Sequence, residues 1–230
     1  MIKVIKDWND IKSNDSWAIF KIIAEFVEGY ERMAKIGPCI SVFGSARTKP
    51  DNKYYQLAVD TASKLVEAGF GVITGGGPGI MEAANRGAMD VEDGRSIGLN
   101  ITLPFEQYPN AYITDELNFE FNYFFIRKFW FTYLAKAIVV FPGGFGTFDE
   151  FFEILTLVQT KKTAKIMLIV LFGSDFWNDV INFDGLVRRG VISEEDLELF
   201  KFADTAEDAF KYITQELERL RKLFPLYHPH

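Results

Sequence analysis

A chain of 230 residues, 48% hydrophobic and 25% charged, is long enough to bury one sizeable core and too apolar for disorder to describe it. A formal net charge of −7 and a pI near 5.0 argue against sequence-independent binding to nucleic acid or an anionic membrane, which needs clustered Lys and Arg; a small-molecule partner is expected instead. The lone Cys39 cannot close an internal disulfide, no run approaches the roughly 20 apolar residues of a membrane span, and "MIKVIKDWND" lacks a signal-peptide core, so a cytoplasmic protein is expected.

Residues 1–36 read as a helical extension. After "SND", which offers cap residues, Trp17, Phe20, Ile23, Ala24, Val27 and Tyr30 recur at three- and four-residue steps, and this face is expected to pack over the edge of the domain. Residues 37–230 read as one domain without repeats or linkers. In it "CISVFG", "FGVITGG", "SIGLNITL", "LNFEF", "AIVVFPGG", "KIMLIVLFG" and a weak "LFKFAD" alternate with helical stretches. That alternation predicts an α/β fold, Rossmann-like and doubly wound, with a mainly parallel sheet between two helical layers. Cys39 then becomes an inert core thiol.

Two helices carry legible end signals. "YYQLAVDTASKLVEAG" closes on Gly69, and "TAEDAFKYITQELERLRK" opens on a Thr-x-x-Asp cap at Thr205 and Asp208. The only histidines, His228 and His230, fall in the tail "LYHPH", so Ser–His or Cys–His chemistry and a histidine-held metal are not expected.

In a parallel sheet, ligands bind beyond the carboxyl ends of the strands. Three such ends are unusual here: "FGSAR" with Ser45, "TGGGPGIMEAANRG" with Gly75, Gly76, Gly77, Gly79 and Glu82, and "PGGFGTFDE" with Pro142, Gly143, Gly144, Gly146 and Thr147. Glycines let the backbone approach a ligand, and the following helix offers unpaired N–H groups to an anion; a tight strand-to-helix turn explains each cluster equally well. The spacing fits neither Gly-x-Gly-x-x-Gly nor a P-loop. The helix after the second cluster is expected to start near Gly146 or Thr147, with Asp149 and Glu150 in its first turn. Upstream, Arg127 and Lys128 are the only charges in "NYFFIRKFWFTYLAK" before its terminal Lys136. They suit either a solvated helix face or an oxyanion-binding fork.

The motif "PGGFGTFDE" matches the Pro-Gly-Gly-x-Gly-Thr-x-x-Glu signature of the LOG family of phosphoribohydrolases, and the chain resembles that family from about Cys39 to beyond Lys162. "GGGPGIMEAANRGA", the Arg127–Lys128 pair and "FGSAR" belong to the same resemblance. It implies hydrolysis of the N-glycosidic bond of a nucleoside 5'-monophosphate, AMP or a cytokinin riboside monophosphate, with Arg127 and Glu150 as catalytic residues. It implies substrate contacts from Ser45, Glu82, Lys128 and the glycine loops, no cofactor, and a homodimer. The label "lysine decarboxylase" often given to such proteins has little support, because no lysine motif for pyridoxal phosphate is recognisable. A nucleotide or nucleotide-cofactor carrier of the same fold, without catalysis, is the alternative.

Overall fold

The computed structural model describes residues 8–102, 108–163 and 165–223, the first nine of these as backbone alone; His228 and His230 lie outside them. All seven expected strands form: β1 Cys39–Phe43, β2 Gly71–Thr74, β3 Ser96–Ile101, β4 Asn118–Phe121, β5 Ala135–Val140, β6 Leu168–Phe172 and β7 Lys201–Ala203. They pair in the order β4-β3-β2-β1-β5-β6-β7, every neighbour parallel. Strands β1, β2, β3, β5 and β6 are buried at every residue, which explains their continuous apolar runs.

Alternate side chains feed two cores. Cys39 and Phe43 of β1, Ile169 and Leu171 of β6 face one layer; Ile40 and Val42, Val170 and Phe172 face the other. The first layer holds α1 (Trp8–Met33), α4 (Phe124–Leu134), α5 (Phe145–Gln159), α6 (Ser174–Val180) and α7 (Phe183–Arg188). The second holds α2 (Lys53–Glu67), α3 (Ile80–Met89) and α8 (Ala206–Leu223). This is the doubly wound, three-layer arrangement that the alternation predicts. Cys39 is fully buried, and burial pushes its thiol up to about 11.

The expected end signals act as read. Gly69 adopts φ +90°, so its N–H reaches Val66 O at 2.8 Å and that of Phe70 reaches Leu65 O at 3.1 Å. At α8 the Asp208 N–H donates to Thr205 Oγ1 at 3.1 Å and the Thr205 hydroxyl donates to Asp208 Oδ2 at 2.7 Å.

The first helix departs from expectation twice. It begins at Trp8, ahead of "SND", which therefore lies inside it. Its apolar stripe faces outward: Trp17 is 69%, Phe20 64% and Val27 52% exposed, and Ile23, Ala24 and Tyr30 are exposed as well. The packing face is a second row, Ile22, Phe26, Gly29 and Met33, which meets the aromatic face of α4. Periodicity marks a stripe without saying which of two apolar stripes meets the domain, and tertiary contact selects the one that carries Gly29. Tyr30 bridges both faces, its ring edge-on to Trp130 at 4.9 Å and to Tyr133 at 5.4 Å.

A Cβ on Gly29 would stand 2.4 Å from Cζ2 of the fully buried Trp130. Helix propensity alone favours Ala over Gly by about 0.5–1 kcal/mol. Gly29→Ala is nonetheless expected to destabilise the protein by about 1–3 kcal/mol through overpacking, read as a lower midpoint in urea unfolding followed by tryptophan fluorescence. A rise in that midpoint would show that α1 does not depend on this contact.

Candidate active site

The order of strands reverses between β1 and β5: from β1 the chain builds outward through β2, β3 and β4, then returns to add β5 on the other side. A crevice opens at such a reversal, beyond the carboxyl ends of the two strands. The loops after β1, β2 and β5 meet there and are tied by backbone bonds. Ser45 N–H donates to Pro142 O at 3.0 Å, and Ile80 N–H donates to Ser45 O at 3.1 Å. Ser45 is thus the hinge pin between the two glycine clusters, and its Oγ accepts from Arg47 N–H at 3.1 Å.

The glycines divide by the reason for their presence. Gly76 and Gly79 have φ of +74° and +72°, and a Cβ on Gly79 would stand 2.3 Å from Ser45 O, so the fold itself requires them. Gly75 lies beneath Met81, with the Arg127 guanidinium 3.7 Å from where its Cβ would stand. Gly143 lies under Thr147, whose Oγ1 would stand 2.1 Å from a Cβ there. Gly144 and Gly146 differ: neither has positive φ, and nothing lies within 4 Å of a Cβ built on them. Neither strain nor crowding accounts for these two, and bare backbone open to solvent is what a ligand's close approach needs.

Helix α5 starts at Phe145 with Gly144 as its N-cap, one to two residues earlier than the sequence suggests. No side chain caps it, so the N–H groups of its first turn are left without a side-chain or intrahelical partner at the carboxyl end of β5. The earlier start moves Asp149 and Glu150 into the second turn, so first-turn dipole compensation does not explain them. Thr147 and Glu150 lie on the inner face, each 7% exposed, whereas Asp149 points outward.

Glu150 is a buried carboxyl without a hydrogen bond or ion pair to any described residue. Burial pushes it up to about 7, against the pull of Lys128 and Arg127. Arg127, one turn into α4, is half-buried between Phe124 and Phe131, its Cζ 5.0 and 5.5 Å from their ring centroids. Burial lowers its pKa, countered by Glu150 and Asp149, and its buried Nε has no partner. Unpaired buried polar groups are rare and ask for a reason. Lys128 is engaged elsewhere: its ammonium holds Asp149 at 2.7 Å and also Glu153, tying α4 to α5. Glu82 accepts from Tyr55 Oη at 2.7 Å, which sets it between α2 and α3.

Asn110 carries no local signal in the sequence. Its N–H donates to Gly76 O at 2.8 Å, and its Nδ2 reaches Gly77 O at 3.0 Å and Asn85 Oδ1 at 2.9 Å. Asn85 in turn accepts from Thr74 Oγ1 at 2.6 Å and donates to Ser96 Oγ at 2.9 Å. A single asparagine from a distant loop fixes the β2 turn, and no local pattern announces it. A shallow apolar groove of about 510 Å³ runs outside α5 between Phe145, Phe148, Phe152 and Leu157, with neither Arg127 nor Glu150 in its lining.

Residues 81–213, more than half of the chain, match the family described as "Possible lysine decarboxylase". The chain belongs to this family, the LOG family. Among curated LOG proteins it is 28% identical over 182 residues to the cytokinin riboside 5'-monophosphate phosphoribohydrolase LOG3 of Arabidopsis thaliana, covering 76% of this chain and 81% of that one. It is 27% identical over 186 residues to the phosphoribohydrolase LOG of Oryza sativa subsp. japonica, covering 77% and 73%. Two solved structures share the LOG-like fold. A molybdenum cofactor binding protein from Rippkaea orientalis superposes with TM-score 0.56 at 17% identity over 79% of this chain and 98% of that one. The molybdenum cofactor carrier protein of Chlamydomonas reinhardtii superposes with TM-score 0.55 at 20% identity over 79% and 99%.

The Glu150 carboxyl titrates at about 7 in the fold against 4.5 ordinarily. Between those values the unfolded chain has lost its proton and the folded one keeps it, so stability falls as pH rises through that window. Glu150→Gln is expected to stabilise the protein by about 1–3 kcal/mol at pH 8 and by nothing measurable at pH 4, checked by denaturant unfolding at both. Equal effects at the two pH values would remove the burial argument.

Proposed function

We propose that this LOG-family protein hydrolyses the N-glycosidic bond of a nucleoside 5'-monophosphate, AMP or a cytokinin riboside monophosphate, to the free base and ribose 5-phosphate. The observation that carries the proposal is the buried Glu150 and the half-buried Arg127, neither with a side-chain hydrogen bond or ion pair among the described residues, beside two glycines that the fold does not need. A carrier has to hold its ligand and has no use for an uncommitted carboxyl. The kinship with curated phosphoribohydrolases supports the same reading.

In this reading the 5'-phosphate sits on the amides of Gly143, Gly144, Gly146 and Thr147, where the N-terminus of α5 favours negative charge. Arg127 holds a substrate oxygen with the donors that the protein leaves unused, Nε among them. Glu150 faces the ribose. As the bond from C1' to the base nitrogen breaks, its electron pair leaves with the base and C1' gains oxocarbenium character, which a carboxylate stabilises. Water adds to C1', giving up one proton as the departing base gains one. Glu150 must be ionised to do this, a form that grows as pH rises through about 7. A homodimer belongs to the same proposal: Phe145, at 96% exposure, Phe152, Phe124 and Phe125 offer apolar surface beside the crevice.

Incubation with AMP and other nucleoside monophosphates, with chromatography of free base and ribose 5-phosphate, is the direct test. Release of both is expected, with kcat/KM rising to a plateau as pH passes about 7, the value for Glu150 in the free protein. Glu150→Gln is expected to keep nucleotide binding and lose ~10²-fold or more in turnover, and Arg127→Ala to weaken binding too. Binding without release of base would turn the assignment toward a nucleotide carrier.

A further inference from the structure

Apart from Tyr30, whose ring packs on α4, the large side chains of the outward stripe of α1 are exposed and meet no other element among the described residues. The stripe runs Trp17, Phe20, Ile23, Ala24, Val27, Tyr30 and Ala34, the steps of three and four that bring one helix against another. With Ile19 beside it, the exposed parts of these side chains come to roughly 700 Å² per chain, close to what one partner gives a standard-size interface. The flanking charges are balanced, with Lys21, Arg32 and Lys35 against Glu25, Glu28 and Glu31, so the helix lacks the cationic border that seats a helix on an anionic membrane.

We infer that α1 pairs antiparallel with α1 of a second copy of this chain, about a two-fold axis passing near residue 24. The charges choose the direction. Lys21 and Glu28 lie on one flank, seven residues apart, and a two-fold midway between them sets Lys21 of each chain against Glu28 of the other. A parallel pair would set this flank against the opposite one, which carries Ile19 and Tyr30, and would leave Lys21 and Glu28 without each other. The Glu28 carboxylate, already held at 3.0 Å by Arg32 of its own helix, keeps 63% of its side chain exposed for this contact. The inference rests on the homodimer proposed above and adds to its contact the α1 stripe, with a direction and a centre.

Single cysteines test the geometry, because the native Cys39 is fully buried. Ala24 lies at the proposed axis, so the two copies of Ala24→Cys fall within disulfide reach. The copies of Ala34→Cys lie roughly 30 Å apart along the helices, at 1.5 Å per residue. Oxidation followed by non-reducing electrophoresis is expected to cross-link Ala24→Cys and leave Ala34→Cys and the parent uncrosslinked. Lys21→Glu is expected to raise the dimer dissociation constant about tenfold, and the pair Lys21→Glu with Glu28→Lys to restore it. Cross-linking of both cysteines would mean a parallel pair and overturn the inference. Light scattering on the same samples separates the remaining failures. A dimer without a cross-link at residue 24 would overturn the α1 pairing and leave the homodimer standing. A monomer would overturn both.

Discussion

Parallel pairing of β1 with both β2 and β5 is the constraint on which the molecule depends. A strand paired in parallel on both sides cannot be reached by tight hairpins, so every connection must cross over a face of the sheet. The crossovers supply the helices, and the reversal at β1 sends them to opposite faces. The carboxyl ends of β1, β2 and β5 then share one crevice. Ser45 gains its place from this topology alone: bonded to Pro142 on one side and Ile80 on the other, it joins loops nearly 100 and more than 30 residues away in the chain.

The same geometry explains how a carboxyl comes to be both buried and available. Glu150 lies one turn past the start of α5, on the face that packs toward the sheet, with Thr147 ahead of it and Phe151 beside it in the core. Lys128, whose charge also pulls on Glu150, is held by Asp149 and Glu153 on the outer side of the helix. Arg127, next to it in sequence, turns inward between Phe124 and Phe131 toward Gly75. Adjacent basic residues thus have separate jobs. One fastens α4 to α5, and the other keeps its donors unused at the crevice. Leaving Arg127 and Glu150 unpaired costs stability, and such costs persist where function uses them.

The aromatic content of the chain is concentrated where α1, α4 and α5 cover one face of the sheet. Phe26, Tyr30, Phe129, Trp130 and Tyr133 form one cluster, and Phe148, Phe151, Phe176 and Trp177 another. The layer built by α2, α3 and α8 is richer in alanine and aliphatic side chains, with Ala58, Ala62, Ala83 and Ala84 between α2 and α3 and Tyr55, Phe141 and Phe172 among its aromatic members. Exposed apolar groups gather on the aromatic side as well, along α1 and around Phe145, so the two faces of the sheet differ in chemistry as well as in connectivity.

Strand identity, the caps of α2 and α8, the inert Cys39 and the three loops of interest were all legible in the sequence, because each follows from local chemistry: runs of apolar residues, glycine after a helix, a hydroxyl three residues before an acid. Arg127 and Glu150 could be named from a motif, but their burial could not, since burial depends on which side of α4 and α5 meets the sheet. The start of α5 falls earlier than its residues suggest because glycine carries no side-chain cap to mark it. The packing face of α1 is not legible because two apolar rows share that helix and only contact with Trp130 separates them. Asn110 gave no sign at all, its partners being Gly76, Gly77 and Asn85, at least 25 residues away. The sequence by itself determined the elements and their order, which short-range sterics and hydrogen bonding dictate; only the tertiary structure decided which glycines are free for a ligand, which charges are paired and which apolar face is left uncovered, because those depend on neighbours that are distant in the chain.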